Sequence, residues 1–273
     1  MKLAGYTRDG SAILSAQDFR ELTADELKQH ALFKPVVAEA RNRLALFRVL
    51  DENYREWSDY LQSLLHPGPM DEDAIVLNLE RLLLNYLTCA HHLRAHFEAS
   101  FQQRFRTDSS EQKKYKMLVD GLIQSSWPFA FFLDYRNCAQ TRGLALGYFK
   151  RKLTPTSVSL ELTLNASELL NTTKDWPRSK LLPSKGIMEL LPLLRDFHAQ
   201  MMQKYSGIII QTLFADLIPA SEFYKKLAAE VAQKNPGQTL ALRSGDPTPT
   251  DNKLVFIPSD LLAELGLAGV VRK

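Results

Sequence analysis

Two polar side chains lie inside an apolar, aromatic segment, and their types point most directly to chemistry. The segment reads Phe131-Phe-Leu-Asp-Tyr-Arg-Asn-Cys-Ala-Gln-Thr-Arg-Gly143, and the two residues are Arg136 and Asn137. A guanidinium and an amide are costly in such surroundings unless they are hydrogen-bonded. Arginine offers paired N–H donors that match the oxygens of a phosphate. The functional interpretation is therefore an anion or phosphate site at the mouth of a helical bundle.

A structural alternative explains the same pair without a ligand. Arg136 would then act as a clamp that pairs with Asp134, or with Glu80 or Glu98 of an earlier helix, and bonds the loop carbonyls after its own helix ends. A carboxylate matches the guanidinium fork as well as a phosphate does. Residue types alone leave both interpretations open.

Three histidines, His91, His92 and His96, form the second candidate group. His92 and His96 are four residues apart, so they share one helix face at a spacing that suits two metal ligands. The glutamate of a metalloprotease helix is missing between them, and a third ligand would have to come from a distant segment. Ordinary surface or packing histidines are the preferred interpretation, and no metal or other cofactor is expected. The nearby Arg94 and Arg104 are interpreted as a solvated face, with a groove for phosphates as the alternative.

A basic stretch after the aromatic segment supplies candidate contacts to a nucleic-acid backbone. Tyr148 and Phe149 lie beside it and could stack on bases, although aromatic residues in such a place more often pack within a strand. Binding of this electrostatic kind would depend strongly on salt. The candidate nucleic-acid-binding residues are Lys150, Arg151, Lys152 and Arg142.

The helices that must position these groups follow from the apolar pattern. Apolar residues recur at steps of three and four from Val36 to Leu64 and from Leu79 to Phe97, which predicts two long helices. The short linker between them predicts an antiparallel pair. A third helix carries Tyr115 to Leu133 on its apolar face, is expected to kink at Pro128 and ends near Gly143. The polar pair and the histidines thus lie on successive helices.

Shorter elements surround these helices. Residues 1 to about 22 show weak patterning and are expected to run extended over the surface. Thr23-Ala-Asp-Glu26 has capping-box spacing and opens a helix that Pro35 is expected to end or kink. Strict alternation of apolar and polar residues in Ser157–Leu164 predicts a strand, with Ala145–Lys150 as its hairpin partner.

Two further helices, at about 185 to 204 and 207 to 234, are expected to kink at Pro192 and Pro219, and Leu254–Ile257 reads as a short strand. The predicted fold class is mainly α, a helical bundle of long antiparallel helices with one small β-hairpin. The predicted domains are an N-terminal extension at 1–34, a helical bundle with its hairpin at 35–183, and a C-terminal helical region on the same core at 184–273.

Composition excludes several classes of protein. The chain has 273 residues, 45% of them hydrophobic, and a net charge of +3, so a packed core is expected and a strongly basic nucleic-acid-binding tail is not. Cys89 and Cys138 have no CxxC spacing, which argues against a disulfide framework or a zinc site. No phosphate loop, GxGxxG, GxSxG or HExxH motif occurs. The N-terminus lacks the apolar stretch of a secretory signal, which favours a cytoplasmic protein that does not interact with membranes.

One stretch of the chain resembles a known family. Leu84-Asn-Tyr-Leu-Thr, and then Lys116-Met through Tyr135-Arg-Asn-Cys-Ala-Gln-Thr-Arg-Gly-Leu144, is similar to a family of uncharacterised bacterial helical proteins. That family in turn resembles the HEPN superfamily through a degenerate form of its Arg-Asn-x-x-x-His motif. The likeness covers residues 75 to 165, about a third of the chain. It implies a HEPN-like helical bundle, dimerisation and metal-independent cleavage of RNA in toxin-antitoxin or antiphage systems.

Carried over by position, the motif assigns Arg136 to the arginine of the family and Asn137 to its polar neighbour. The position of the histidine is occupied by Thr141. Threonine cannot move a proton near neutral pH as imidazole does, so half of the acid–base apparatus is missing. The resemblance therefore implies catalytic-site positions in a degenerate, non-catalytic member.

Three functional hypotheses follow. The first is a non-catalytic or weakly active HEPN-like module that binds or regulates a partner in a bacterial stress or phage-defence system, as a homodimer with its Arg136 helices near the two-fold axis. The second is a ribonuclease for single-stranded RNA that takes a proton carrier from His91, His92 or His96. The third is a structural scaffold that binds protein partners and has no role with nucleic acid.

Overall fold

The computed structural model describes residues 1–9, 12–66, 68, 71–142, 146–154, 157–165, 187–244 and 253–256. These residues are mainly helical, with two small antiparallel sheets. The chain divides into two compact units, unit 1 with residues 1–45 and 213–273, and unit 2 with residues 46–212. No helix among the described residues combines the length and the apolar character that a membrane crossing requires.

Unit 1 combines a four-stranded sheet with two helical segments. The sheet has the order β2-β1-β6-β7 and is antiparallel throughout. The first part of α1 (Ala24–Ser63), as far as residue 45, belongs to this unit, and α7 follows residue 213. The elements are β1 (Lys2–Asp9), β2 (Ala12–Glu21), α7 (Leu217–Lys234), β6 (Thr239–Ser244) and β7 (Lys253–Phe256).

Unit 2 holds the rest of α1, five further helices and a three-stranded sheet of order β3-β4-β5. A π-helical segment, Gln200–Tyr205, joins α5 to α6 without a break. The elements are α2 (Glu72–Arg104), α3 (Ser110–Ser125), α4 (Trp127–Arg142), β3 (Leu146–Leu153), β4 (Val158–Asn165), β5 (Ile187–Glu189), α5 (Leu190–Ala199) and α6 (Ser206–Thr212).

Contacts between α1 and α2 confirm that the two long helices are antiparallel. Phe47 stacks on Phe97 with ring centroids 5.6 Å apart, and further along α1 the ring of Tyr54 lies 5.7 Å from that of Tyr86. As residue numbers rise along α1, the contacted numbers on α2 fall. The predicted mainly helical class is confirmed, and the two long helices pack in the direction that the short linker predicts.

Side-chain caps begin three helices, and the first of them is the predicted capping box. Glu26 N–H donates to the Thr23 hydroxyl at 3.2 Å, and the Glu26 carboxylate accepts from Thr23 N–H at 2.8 Å, which completes the capping box. Asp71 caps α2 by accepting from two backbone N–H groups, and Ser109 caps α3 by accepting from Gln112 N–H. Side-chain oxygens thus satisfy backbone donors that have no helical partner.

The prolines act differently from the prediction. Pro128, Pro192 and Pro219 lie in the first turns of α4, α5 and α7, and the predicted kinks inside longer helices are wrong. A first turn suits proline because its missing N–H would have no acceptor there. Pro35 does not end its helix, since α1 continues through it for 40 residues in all. One lost hydrogen bond is tolerated in a helix of that length.

The sheets correct the prediction of a single hairpin. The hairpin of β3 and β4 is confirmed, and β5 adds a third strand to it. The N-terminal residues form strands and do not simply run over the surface: Leu3 and Ala4 in β1 are 0% exposed, and Ala241 and Leu242 in β6 are also buried completely. Consecutive buried residues remove the period-two alternation by which a strand is recognised in a sequence. The strand predicted at the C-terminus is present as β7.

The division into two units differs from the predicted domains, whose boundaries fall after residues 34 and 183. The packed unit 1 joins both ends of the chain, through pairing of β1 with β6 in antiparallel register. A contiguous N-terminal extension does not describe that arrangement. The predicted domain boundaries stay a prediction.

Gly5 of β1 has no room for a side chain. A Cβ there would meet Gln238 Oε1 at 2.3 Å, Phe19 Cε2 at 2.9 Å and Val231 Cγ1 at 3.0 Å. We expect Gly5→Ala to lower the free energy of unfolding by about 1–3 kcal/mol through overpacking. Gly121, inside α3, is the control, since a Cβ there meets nothing within 4 Å. Gly121→Ala should stabilise by up to about 1 kcal/mol. Urea denaturation measures both, and equal effects would contradict the packing at Gly5.

Candidate functional site

Helix α4 lies in the core of unit 2 and is held there by aromatic rings. Trp127 stacks on Phe131 at 5.0 Å, and Phe131 stacks in turn on Tyr135 at 5.4 Å. Phe132 meets Phe197 of α5 at 5.1 Å. Helices α2, α3 and α5 pack against α4. The helix that carries Arg136 is therefore internal, as the functional interpretation requires.

Arg136 follows the fully buried Tyr135 and is itself partly buried. Burial lowers the pKa of Arg136 from its ordinary value. Arg94 provides a contrast: burial lowers its pKa too, but the hydrogen bond and the charge of Glu98 outweigh burial and raise the pKa overall. At Arg136 burial outweighs the interactions that the side chain makes.

His91 is the histidine that lies beside Arg136. Burial lowers the pKa of His91, and the positive charges of Arg136 and Arg94 lower it further, while Glu98 opposes them. His91 is partly buried on α2, the helix that packs against α4, and the charge of Arg136 on α4 acts on its pKa. We refer to Arg136, Arg94 and the neutral imidazole of His91, on whose pKa both cations act, as the cationic cluster. A lowered pKa keeps His91 neutral near pH 7, where it can accept a proton.

His92 and His96 are exposed, unlike His91. The ring of His92 lies 6.2 Å from that of His91, and the ring of His96 meets the edge of Phe97. Among the described residues, no group of three or more histidine, cysteine, aspartate or glutamate side chains is placed to hold a metal ion. In the described part of the structure, His92 and His96 are therefore two surface histidines on one helix.

A pair of tyrosines borders the cluster on the side of Arg94. The hydroxyls of Tyr115 and Tyr205 are 3.1 Å apart, and both lie within electrostatic range of Arg94 and Glu98. Burial raises the pKa of Tyr115 to about 12, although the bond to Tyr205 opposes the shift. Tyr205 ends the π-helical segment, a kind of helix that is often found at functional sites. Both phenols stay protonated at neutral pH and can donate hydrogen bonds.

Of the basic hairpin residues, Arg151 bonds to backbone carbonyls, whereas Lys150 and Lys152 are exposed. The Arg151 guanidinium donates to the carbonyls of Leu64 at 2.9 Å and Gly68 at 3.2 Å, and also to that of His66. Arg151 therefore bonds to the backbone of the turn that follows α1, where carbonyls lack helical partners. Lys152 forms an ion pair with Glu161 across the hairpin at 3.1 Å, and Lys150 is exposed. Their role in binding nucleic acid stays a prediction.

Three predicted site residues lie on α4 beyond the described side chains. The backbone of Asn137, Thr141 and Arg142 is helical, and their side chains lie outside the described part of the structure. The helix places position 141 five residues after Arg136, on a neighbouring turn. Of the structural alternatives for Arg136, Glu98 is bonded to Arg94 at 2.7 Å. Pairing with Asp134 or Glu80 stays a prediction.

A hydrogen-bonded row around His198 was not predicted. His198 Nε2 lies 3.2 Å from Asp51 Oδ1, its Nδ1 lies 3.2 Å from the Tyr86 hydroxyl, and its ring stacks on Tyr54 at 3.9 Å. Since a carboxylate only accepts, Nε2 carries the proton toward Asp51 and Tyr86 donates to Nδ1 of the neutral ring. Burial lowers the pKa of His198, against the effect of Asp51.

This Asp51–His198–Tyr86 row has the order of a catalytic triad but no access for a substrate, because Tyr86 is 0% exposed. Burial also raises the pKa of Tyr86 well above its ordinary value, which makes the phenol a poor nucleophile. The row instead links α1, α2 and α5. No sequence motif connects three positions so far apart. The only sequence signal that could have indicated this row is the place of His198 on an amphipathic helix.

No family model, curated protein or solved structure matches this chain. The resemblance to the HEPN superfamily therefore rests on the residues quoted above and stays a prediction.

Proposed function

We propose that the protein is a HEPN-like helical module that binds single-stranded RNA through the cationic cluster, without efficient catalysis. One observation supports this most directly: Arg136 is partly buried with a pKa lowered by burial, and its charge acts on His91 of the packed neighbouring helix. The charges of Arg136 and Arg94 both act on His91, and the charge of Glu98 opposes them.

Phosphate is the ligand class that fits this cluster. Guanidinium groups bind phosphate oxygens through two parallel N–H bonds, and partial burial strengthens the attraction relative to an exposed site. A cluster with few charges suits a small number of phosphates, in keeping with a net charge of only +3. The chain would thus hold a short stretch of RNA backbone.

The lack of efficient catalysis follows from the residue at position 141. Thr141 stands where the resemblance places a histidine. A threonine hydroxyl does not act as a general acid or base near neutral pH as imidazole does. The proposed role is accordingly that of a binding or regulatory module in a bacterial stress, toxin-antitoxin or phage-defence system. The proposed assembly is a homodimer in the cytoplasm.

Arg136→Ala tests the binding function. We expect its affinity for a fluorescent ten-nucleotide uridine oligomer to fall about 10- to 150-fold, because a guanidinium–phosphate contact is worth about 1.5–3 kcal/mol. The slope of log affinity against log salt should fall by about one unit. Fluorescence anisotropy between 50 and 200 mM salt measures both quantities.

Arg106→Ala is the matched control, since Arg106 is exposed and the substitution removes the same formal charge from unit 2. Equal affinities and slopes for the two variants would reject a specific site at Arg136. Absence of RNA binding by the wild-type protein at low salt would instead favour a scaffold that binds only protein partners.

A second candidate function, metal-independent cleavage of single-stranded RNA, is favoured by the position of His91. A neutral imidazole beside a guanidinium can take the proton of a 2′-hydroxyl, whose oxygen attacks the phosphorus. The 5′-oxygen then leaves and takes a proton from water. Arg136 would stabilise the charge on the phosphate oxygens during this step.

His91→Ala tests the cleavage function on labelled single-stranded RNA in the presence of a metal chelator. If wild-type protein cleaves, we expect the rate to fall about 10²- to 10⁴-fold on loss of the base. His92→Ala on the same helix is the control, because His92 is exposed and should leave the rate unchanged. RNA that stays intact with wild-type protein would exclude this function and leave the binding function in place.

A further inference from the structure

The contact between the first part of α1 and α7 in unit 1 encloses a histidine, His30. His30 is 4% exposed, and Tyr224 of α7 is 1% exposed. His30 Nδ1 lies 3.0 Å from the Tyr224 hydroxyl, and the two rings are nearly perpendicular. Nearly one turn further along α1, Phe33 packs on Phe223 with ring centroids 5.7 Å apart. The imidazole is thus part of the packing that joins these two helices.

The other ring nitrogen of His30, Nε2, is buried and has no hydrogen-bond partner among the described residues. A neutral imidazole has one donor nitrogen and one acceptor nitrogen, and Nδ1 can bond to Tyr224 in either role. A protonated imidazole carries N–H at both nitrogens, so Nε2 would become a charged donor without an acceptor in this part of the structure. A buried charge is costly unless it is paired. Protonation of His30 therefore opposes the packing of α1 on α7.

His198 in unit 2 shows which partner His30 does not have. Nδ1 of His198 also lies beside a buried tyrosine hydroxyl, that of Tyr86, but its Nε2 lies 3.2 Å from a carboxylate oxygen of Asp51. A carboxylate accepts from a charged ring as well as from a neutral one. Of the two histidines, His30 is therefore the one whose protonation leaves a donor unbonded within the described residues.

We propose that His30 is a pH-sensitive switch in unit 1: gain of a proton at the imidazole loosens the contact between α1 and α7, and loss of the proton restores it. His30 and Tyr224 lie in unit 1, whereas the cationic cluster lies in unit 2. The switch and the proposed RNA site are therefore tested separately, and either can fail without the other.

The titratable and charged groups around His30 favour its neutral form. Burial lowers the pKa of His30, and the positive charge of Lys34, one turn along α1, lowers it further. On α7, burial raises the pKa of Tyr224 to about 12, so the phenol stays neutral. Because the pKa of His30 is lower in the folded than in the unfolded chain, the stability that the neutral ring contributes is complete above about pH 6.5 and is lost as the pH falls.

A neighbouring ion-pair network acts in a different pH range. Arg20 of β2 bonds to Glu26 at the start of α1 and to Glu230 of α7, with N–O distances of 2.7 to 2.8 Å. The hydrogen bonds from Arg20 lower the pKa of each carboxyl group to about 2, from an ordinary value of 4.5. Their contribution to stability is complete above about pH 4.5 and is lost only as the pH falls toward 2. A loss of packing between pH 7.5 and 5.0 is therefore assigned to His30.

Hydrogen exchange of the whole chain, measured by mass spectrometry and corrected for the intrinsic effect of pH, tests the switch. From pH 7.5 to 5.0 we expect opening of the α7 amides to become about five- to thirtyfold more frequent, since each pH unit below about 6.5 favours the protonated, open form by up to tenfold. His30→Gln should abolish this rise, because its amide can still bond to Tyr224 and does not titrate. His92→Gln removes an exposed histidine of unit 2 and should keep the rise of wild type.

Lys34→Glu is a second variant that leaves the packing at position 30 intact, because Lys34 is exposed. The new carboxylate should favour the charged imidazole and reduce the rise about twofold. A rise that persists in His30→Gln would overturn the switch, and so would equal opening of α7 in wild type at the two pH values. If His30→Gln does not fold at pH 7.5, an identical rise in Lys34→Glu and wild type is the result that contradicts the proposal.

Discussion

Partial burial of a guanidinium between packed helices is the constraint on which the functional account depends. Arg136 directly follows a tyrosine that is 0% exposed, on a helix whose preceding turns are packed rings. Burial disfavours its charge, and that charge in turn disfavours protonation of His91 on the adjacent helix. A bound anion would favour the charged form of both groups, which is why the proposed function assigns a phosphate to this place.

The helices could be predicted because their signals are local. The capping box at Thr23 and the caps at Asp71 and Ser109 appear in the structure, since a cap depends only on residues within one turn. The central strands β1 and β6 could not be predicted, because they are buried on both faces and show no alternation. Their pairing joins the two ends of the chain, a contact about which local patterns carry no information.

The candidate site could be predicted in part. Arg136 was indicated by a charge in an apolar run, a signal that needs no knowledge of the fold. Selecting His91 over His92 and His96 required the rotation of α2 about its axis relative to α4, which the sequence does not contain. The row from Asp51 through His198 to Tyr86 spans three helices, and it became visible only when they were packed.

The central claim is that Arg136 and His91 share one electrostatic environment, and an NMR titration of the His91 imidazole tests it most directly. Arg136 and Arg94 both lower the pKa of His91 in the folded protein, so Arg136→Ala should raise that pKa relative to wild type. Arg106→Ala, which removes an exposed charge elsewhere in unit 2, should leave it unchanged. An unaltered His91 pKa in folded Arg136→Ala protein would contradict the account.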